Sequence, residues 1–334
     1  MLDALAGPVR PATDVVDRAQ QTVAALPDGG ALNDEDLQLS LLVLQELAYD
    51  GIDGADERWE RSAELLTARS LLEDACEQEL RAQTAALTAT VAELSHRDVA
   101  AALFELTDTV EGPSLSSYVR RHATREQFCE LLMQRSVYHL KEADPHTWLV
   151  PRLRGPAKAA LLEVQIDEYG SGRLATMHSE MFARTMSLVG LDDTYGAYVD
   201  RVPATVLAST TTMTMFGMQR RLRGASAGQL AAVEATSSLP SRRYAEGVRR
   251  LGFGDEAAAY FDEHVVADAV HEQVVLRDLC GGLVTAEPEL LDDVLFGAAA
   301  GLVLDVHAST ATLAAWERGD SSLLPDNALV PAAG

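Results

Sequence analysis

The stretch Tyr260 to Asp278, YFDEHVVADAVHEQVVLRD, constrains this chain more than any other. It carries His264, Asp268 and His271. At about 100° per residue these positions fall at roughly 0°, 40° and 340° around a helix. The three side chains therefore leave one helix within a wedge of about 60°, across two turns. Two imidazoles and a carboxylate on so narrow a face suit a metal ion of hard or borderline character. The plain alternative is a polar helix face with chance histidines. Other segments must complete the site if it binds a metal.

Those segments read as helices. They are expected over 11–26, 34–48 with Asn33 as cap, 54–91, from a Ser95 cap through Leu106, and 125–142 with Thr124 as cap and Asp144-Pro145 as stop. Further helices are expected over 157–169, 173–189, 193–200, 204–223, Ser226 to Ser237, Pro240 to Leu251, 255–280, and Pro288 to Trp316. No period-2 segment is bounded by hairpin turns. The Thr210-Thr211-Thr212 run is the one place where β-branching works against helix. Hydrophobic residues make up 47% of the chain and aromatics only 5%, so the core is built from Ala, Leu and Val, which suits helix packing. The expected fold class is all-α, a multi-helix bundle. Its metal core would occupy 111–318, with 1–110 as a helical extension packed on it and a loose tail over 319–334.

Charge narrows the function. With 51 acidic and 27 basic residues the net charge is −24, which argues against nucleic acid or an anionic membrane as a partner. No apolar run approaches the roughly 20 residues of a membrane span. Met1 to Pro11 lacks the basic and apolar regions of a signal peptide. Cys76, Cys129 and Cys280 lie far apart, a reduced, cytoplasmic pattern with no local thiolate site.

Four further residues could complete the metal site. Glu142 is expected at a helix C-terminus, where the dipole mildly opposes an acid; otherwise it is a surface acid beside Lys141. Glu168 and His178 flank Gly170-Ser171-Gly172. On an unbroken helix they would lie about 15 Å apart, but a bend at the glycines lets them converge. His178 could equally be a buried neutral histidine, and Glu163 and Asp167 compete with Glu168. Glu234 stands alone in LAAVEATSS, where burial without a partner is costly and exposure on an amphipathic face is the alternative. His139 is a rival ligand, three residues before Glu142. Glu93-Leu-Ser-His96 and the His122/Glu126 pair read as surface pairs, His146 as a loop residue and His307 as structural. Tyr260 and Val275 would border the site. Four carboxylates and three imidazoles suit iron or manganese, and four negative charges would neutralise two divalent ions.

The ordered pattern KEADPH (Lys141–His146), QIDEYGSG (Gln165–Gly172), His178, VEATSSLPSRRY (Val233–Tyr244) and DEHVVADAVHE (Asp262–Glu272) resembles the haem-oxygenase-like di-iron oxidases and oxygenases, often labelled iron-containing redox enzymes. The resemblance covers about 125–318. It implies a haem-oxygenase-like bundle without haem, in which Glu142, Glu168, His178, Glu234, His264, Asp268 and His271 hold two irons and Glu234 takes the bridging-type role. His264 and His271 would serve different irons, since seven residues rise about 10 Å. One departure from some members is Ala175, where they carry an additional acid. The resemblance further implies O₂ as co-substrate, a small-molecule substrate and an external electron donor. N-oxygenation of an amine or amino-acid-derived compound in specialised metabolism is the leading expectation. Oxidative C–C cleavage, decarboxylation or desaturation of an amino or fatty acid is the alternative, and an iron-binding scaffold without turnover the third. Arg184 and the Arg220, Arg221 and Arg223 group could hold a substrate carboxylate or close surface ion pairs. Homodimerisation through helix faces is also expected.

Overall fold

The computed structural model describes residues 11–325 and, ahead of them, Leu5, Gly7 and Val9. No strand occurs among these residues. The helices are α1 (Thr13–Ala25), α2 (Glu35–Glu46), α3 (Ala63–Ser95), α4 (Val99–Thr109), α5 (Leu115–Arg121), α6 (Arg125–His139), α7 (Asp144–Thr147), α8 (Gly155–Glu168), α9 (His178–Val189), α10 (Ala204–Met218), α11 (Arg223–Arg250), α12 (Asp255–Gln273), α13 (Gly282–Ala286) and α14 (Leu291–Arg318). The end of the tail, 326–334, lies outside the described residues.

α11 and α14 form the axis of the bundle. They touch backbone to backbone because both carry glycine at the crossing. A Cβ at Gly228 would stand 1.9 Å from the Val294 carbonyl oxygen, and one at Gly297 1.9 Å from that of Ala225. α12 lies along α11, and α9 packs on α12. One apolar cluster joins α11, α14 and α8 through Leu161, Val164, Leu230 and Leu295. A second joins α1–α3 to α10, α11 and α14 through Trp59, Leu72, Leu80, Phe216 and Phe296. A third, with Phe128, Phe182, Phe261 and Trp316, closes the end formed by α6, α9 and α12.

Local chemistry explains where the helices depart from expectation. Asp34, not Asn33, caps α2, accepting from the Leu37 N–H at 2.8 Å. Asp98, not Ser95, caps α4. The Thr124–Gln127 capping box opens α6 as expected. The helix expected over 193–200 is absent, because Gly196 takes a φ of 82° and leaves only a 3₁₀ turn, Val199–Arg201. α5 is a helix the pattern did not announce; Ser114 caps it. Pro240 lies inside one continuous α11 instead of starting a new helix. Burial of Glu234 on one side and Ser241, Tyr244 and Ala245 on the other holds both halves in one core. The threonine run is helical, since the Thr211 hydroxyl donates to Gln38 Oε1 at 2.7 Å and Thr214 meets the Tyr49 hydroxyl at 3.1 Å. α12 stops being α-helical two residues after His271 and continues as a π-helical segment, Val274–Gly281.

The last helix also corrects the expectation about apolar runs. Pro288–Arg318 is long and apolar enough to cross a membrane by length and composition. In the fold, 56% of its most apolar window is buried, packed chiefly on α11.

Candidate metal centre

Each expected ligand reaches the centre by a different local device. α6 ends at His139, three residues earlier than expected, so Glu142 stands in a turn and not at a helix end. Ala143 follows with a φ of 73°, an uncommon left-handed conformation for a residue with a Cβ. The turn is held by the Tyr260 hydroxyl, 2.9 Å from both Glu142 oxygens. Pro145 then opens α7, where a proline is well tolerated.

Glu168 ends α8 and His178 begins α9, so the stretch expected as helix over 173–177 is a reversal instead. Gly170, Ser171 and Gly172 all have positive φ, 61°, 53° and 76°. A Cβ at Gly170 would lie 2.4 Å from the Thr176 carbonyl carbon, so glycine is required for the chain to pass itself here. The reversal brings His178 Nδ1 to 2.9 Å from Glu168 Oε2. Glu234 projects from the middle of α11, and His264, Asp268 and His271 from α12.

The assembled residues form two groups whose candidate ligand atoms lie within 4.8 Å of one another. One contains Glu142, Glu168, His178 and His264; the other contains Glu168, Glu234 and His271. Glu168 is common to both, whereas the resemblance assigned the bridging-type role to Glu234. His264 and His271 fall in different groups. His264 Nε2 is 3.6 Å from Glu142 Oε1, while its Nδ1 faces the Tyr260 carbonyl at 2.8 Å. Nδ1–H therefore donates outward and Nε2 faces the centre, toward Glu142. His271 Nδ1 is 3.5 Å from Glu168 Oε1 and 3.4 Å from Glu234 Oε2. Asp268 belongs to neither group, although it is buried beside them and interacts electrostatically with His264, Glu168 and His271.

All seven residues are buried, between 1% and 8% exposed. Among the described residues, no lysine or arginine ion-pairs with any of the four carboxylates. His178 Nδ1, His271 Nδ1 and Asp268 Oδ2 are buried without a well-directed hydrogen bond, the first despite its close approach to Glu168. Uncompensated buried carboxylates and orphaned imidazole nitrogens fit cation binding.

Protons otherwise carry part of that compensation. Burial pushes Glu234 and Asp268 above the ordinary carboxylate range, and neighbouring acids add to the push. Burial would also keep the histidines neutral. The charge of Glu142 overcomes this at His264, and Glu234 does so at His271, so both are raised. Glu142 itself is held low against its burial by His139, His264 and His178.

The rival residues separate clearly. Asp167 is largely exposed and meets the outer nitrogen of His271, Nε2, at 3.1 Å, so it can orient that ring. Glu163 is exposed. His139 lies outside both groups; its Nδ1 faces the Arg135 carbonyl at 3.1 Å, its ring packs on Phe182, and burial lowers its pKa to about 4. His146 is not an exposed loop residue but a buried member of α7. Glu93, His96, His122 and Glu126 are exposed. Arg184, Arg221 and Arg223 pair with Glu256, Glu77 and Glu287, and none lines the cavity described next.

A cavity of about 390 Å³ opens onto the centre and is lined there by Glu142, Glu168, Glu234, His264 and Asp268. Arg135, Tyr244 and Asp305 also line it. Sequence patterns did not single these residues out, because they are ordinary polar positions on helices and meet only in the fold.

The chain belongs to the iron-containing redox enzyme family, whose family model matches residues 129–306. That span contains all seven residues, and the fold is the all-α bundle expected of the family. Over 178 residues the chain is 32% identical to a nitrosourea synthase of Streptomyces achromogenes subsp. streptozoticus. The match covers 53% of this chain but only 37% of that protein.

Proposed function

We propose that Glu142, Glu168, His178, Glu234, His264, Asp268 and His271 bind two iron ions, and that the protein is an O₂-dependent oxygenase acting at nitrogen of a small amine or amino-acid-derived substrate. The observation that carries this reading is the sharing of Glu168 between two buried ligand groups. A single ion would need only one group. Four carboxylates balance two divalent charges within the bundle. Bound iron would supply the redox chemistry with O₂.

The protein's own residues do the rest. Tyr260 fixes the Glu142 carboxylate, and the Tyr260 carbonyl fixes the tautomer of His264. Asp167 orients His271 from behind. The cavity is large enough to take a small substrate beside the cluster. A nitrosourea contains nitrogen bonded to nitrogen and oxygen, so the name of the relative favours oxidation at nitrogen over C–C cleavage. On this reading the segment 1–110 is a helical extension of a di-iron domain over 111–318. The protein works in the cytoplasm with an external electron donor, and a homodimer fits the same reading.

Anaerobic Fe(II) titration with metal analysis tests the site; two equivalents per chain are expected, and saturation at one or none overturns it. Mixing the loaded protein with O₂, with amines or fatty acids present, should give a transient visible band that amines accelerate. A flat trace with every compound would overturn the oxygenase reading.

A further inference from the structure

The cavity wall carries two opposite charges that do not close on each other. Arg135 comes from α6 and Asp305 from α14. Arg135 is already positioned: its Nη2 donates to the Tyr244 hydroxyl at 3.0 Å, and its guanidinium lies 4.6 Å from the centre of that ring. That leaves further N–H donors of the planar fork unused by Tyr244. Asp305 has no hydrogen bond or ion pair among the described residues, although Arg135 is near enough to favour its charged form. Its carboxylate is accessible because it opens onto the cavity. The surrounding protein nevertheless pushes its pKa up. Asp262, another exposed acid, is closed by Arg249, whereas Asp305 faces the cavity without such a partner.

We propose that Arg135 and Asp305 are specificity residues that together hold the headgroup of an α-amino acid, Arg135 taking its carboxylate and Asp305 its ammonium. An acid alone would select an amine, and an arginine alone a fatty acid or another carboxylate. The two together, near but unpaired, fit a ligand that brings both charges on adjacent atoms. A guanidinium fork matches a carboxylate in two parallel hydrogen bonds, and an accessible carboxylate with no protein partner is open to an ammonium. The cavity is within the size range of small-ligand sites and continues to Glu142 and His264, so a headgroup held here directs the amino-acid side chain to the cluster. That last step rests on reading the cluster as the metal site; the binding of the headgroup does not.

Calorimetric binding to the full-length, Fe(II)-loaded protein under argon tests this with three matched probes. L-norleucine has both charges, hexanoate lacks the ammonium, and n-pentylamine lacks the carboxylate. Norleucine should bind tightest. Asp305→Asn should weaken norleucine and pentylamine by about tenfold to a hundredfold and leave hexanoate unweakened. Arg135→Gln should weaken norleucine and hexanoate by a similar factor and leave pentylamine unweakened. Asp305→Glu should restore the preference for an ammonium. If Asp305→Asn does not fold, the Arg135→Gln comparison decides alone. No measurable binding of norleucine to the unsubstituted protein, or an equal change for all three probes in a variant, overturns the proposal. Iron content is measured on the same samples. Normal iron with charge-blind binding defeats this inference alone, whereas poor iron loading with charge-selective binding defeats only the di-iron reading.

Discussion

Lys141 and Glu142 are neighbours in the chain, equally buried at 7% and 8% exposure, and they solve the problem of buried charge in opposite ways. Lys141 turns toward α2, where its ammonium pairs with Glu46 and lies 4.3 Å from the centre of the Tyr49 ring. The Tyr195 hydroxyl donates to the same Glu46 carboxylate at 2.9 Å. Every charge there has a permanent protein partner, and burial lowers the pKa of Lys141 against the pull of Glu46. Glu142 turns the other way, into a cluster of acids balanced by histidines alone. The first region is closed electrostatically. The second is closed only by protons or by a cation from outside, which is the arrangement a binding site requires and a structural pair avoids.

The strongest way to break this contrast is to remove the residue common to both ligand groups. Glu168→Ala should abolish iron loading altogether, while His264→Ala should remove the second equivalent and leave at most one. Metal analysis after anaerobic loading checks both. Two irons retained in either variant would refute the assignment. Gly170→Ala should have nearly the same effect as losing a ligand, because its Cβ would meet backbone and displace His178 from Glu168. A fully loaded Gly170→Ala protein would show that the reversal does not position the site.

The two regions also differ in how far the sequence discloses them. The three ligands of α12 follow helical periodicity and are legible from spacing alone. The convergence of Glu168 and His178 is legible only because glycines mark the break; their 2.9 Å approach depends on three positive φ angles. Glu142 could be named from the resemblance, but its turn could not be foreseen, since the Tyr260 hydroxyl that holds it comes from 118 residues away. The Glu46 partner of Lys141 is 95 residues distant and carries no motif. Arg135 and Asp305 were hidden for the same reason. Short-range spacing encodes which helix face is polar, and the packing of α6, α11, α12 and α14 decides which polar faces meet.

Lys141→Met sharpens the contrast from the other side. Removing one partner of a buried pair leaves Glu46 uncompensated, so global stability should fall by about 3–5 kcal/mol in denaturant unfolding. Iron stoichiometry should remain unchanged. Fe(II) at a hundred times its dissociation constant should then stabilise this variant by about 2.7 kcal/mol for each ion bound, as it does the unsubstituted protein. Glu142→Gln should differ: it removes the charge that raises His264, so it also costs stability without metal, but in addition it should much reduce the stabilisation by Fe(II). If both variants respond alike to Fe(II), the two regions are not electrostatically distinct.

The smallest effect is expected at Tyr260→Phe. It deletes the hydroxyl that holds both Glu142 oxygens but leaves every candidate ligand in place. Loss of such an outer partner typically weakens metal binding by about tenfold to a hundredfold. The variant should therefore still reach full iron stoichiometry, at correspondingly higher free Fe(II). Because Glu142 lies only in the group with His178 and His264, the weakening should fall on one equivalent and spare the other. A competitive titration against a chromophoric chelator resolves the two steps. Equal weakening of both would mean that the turn at Glu142 supports the whole cluster, and that the two groups joined at Glu168 do not fill independently.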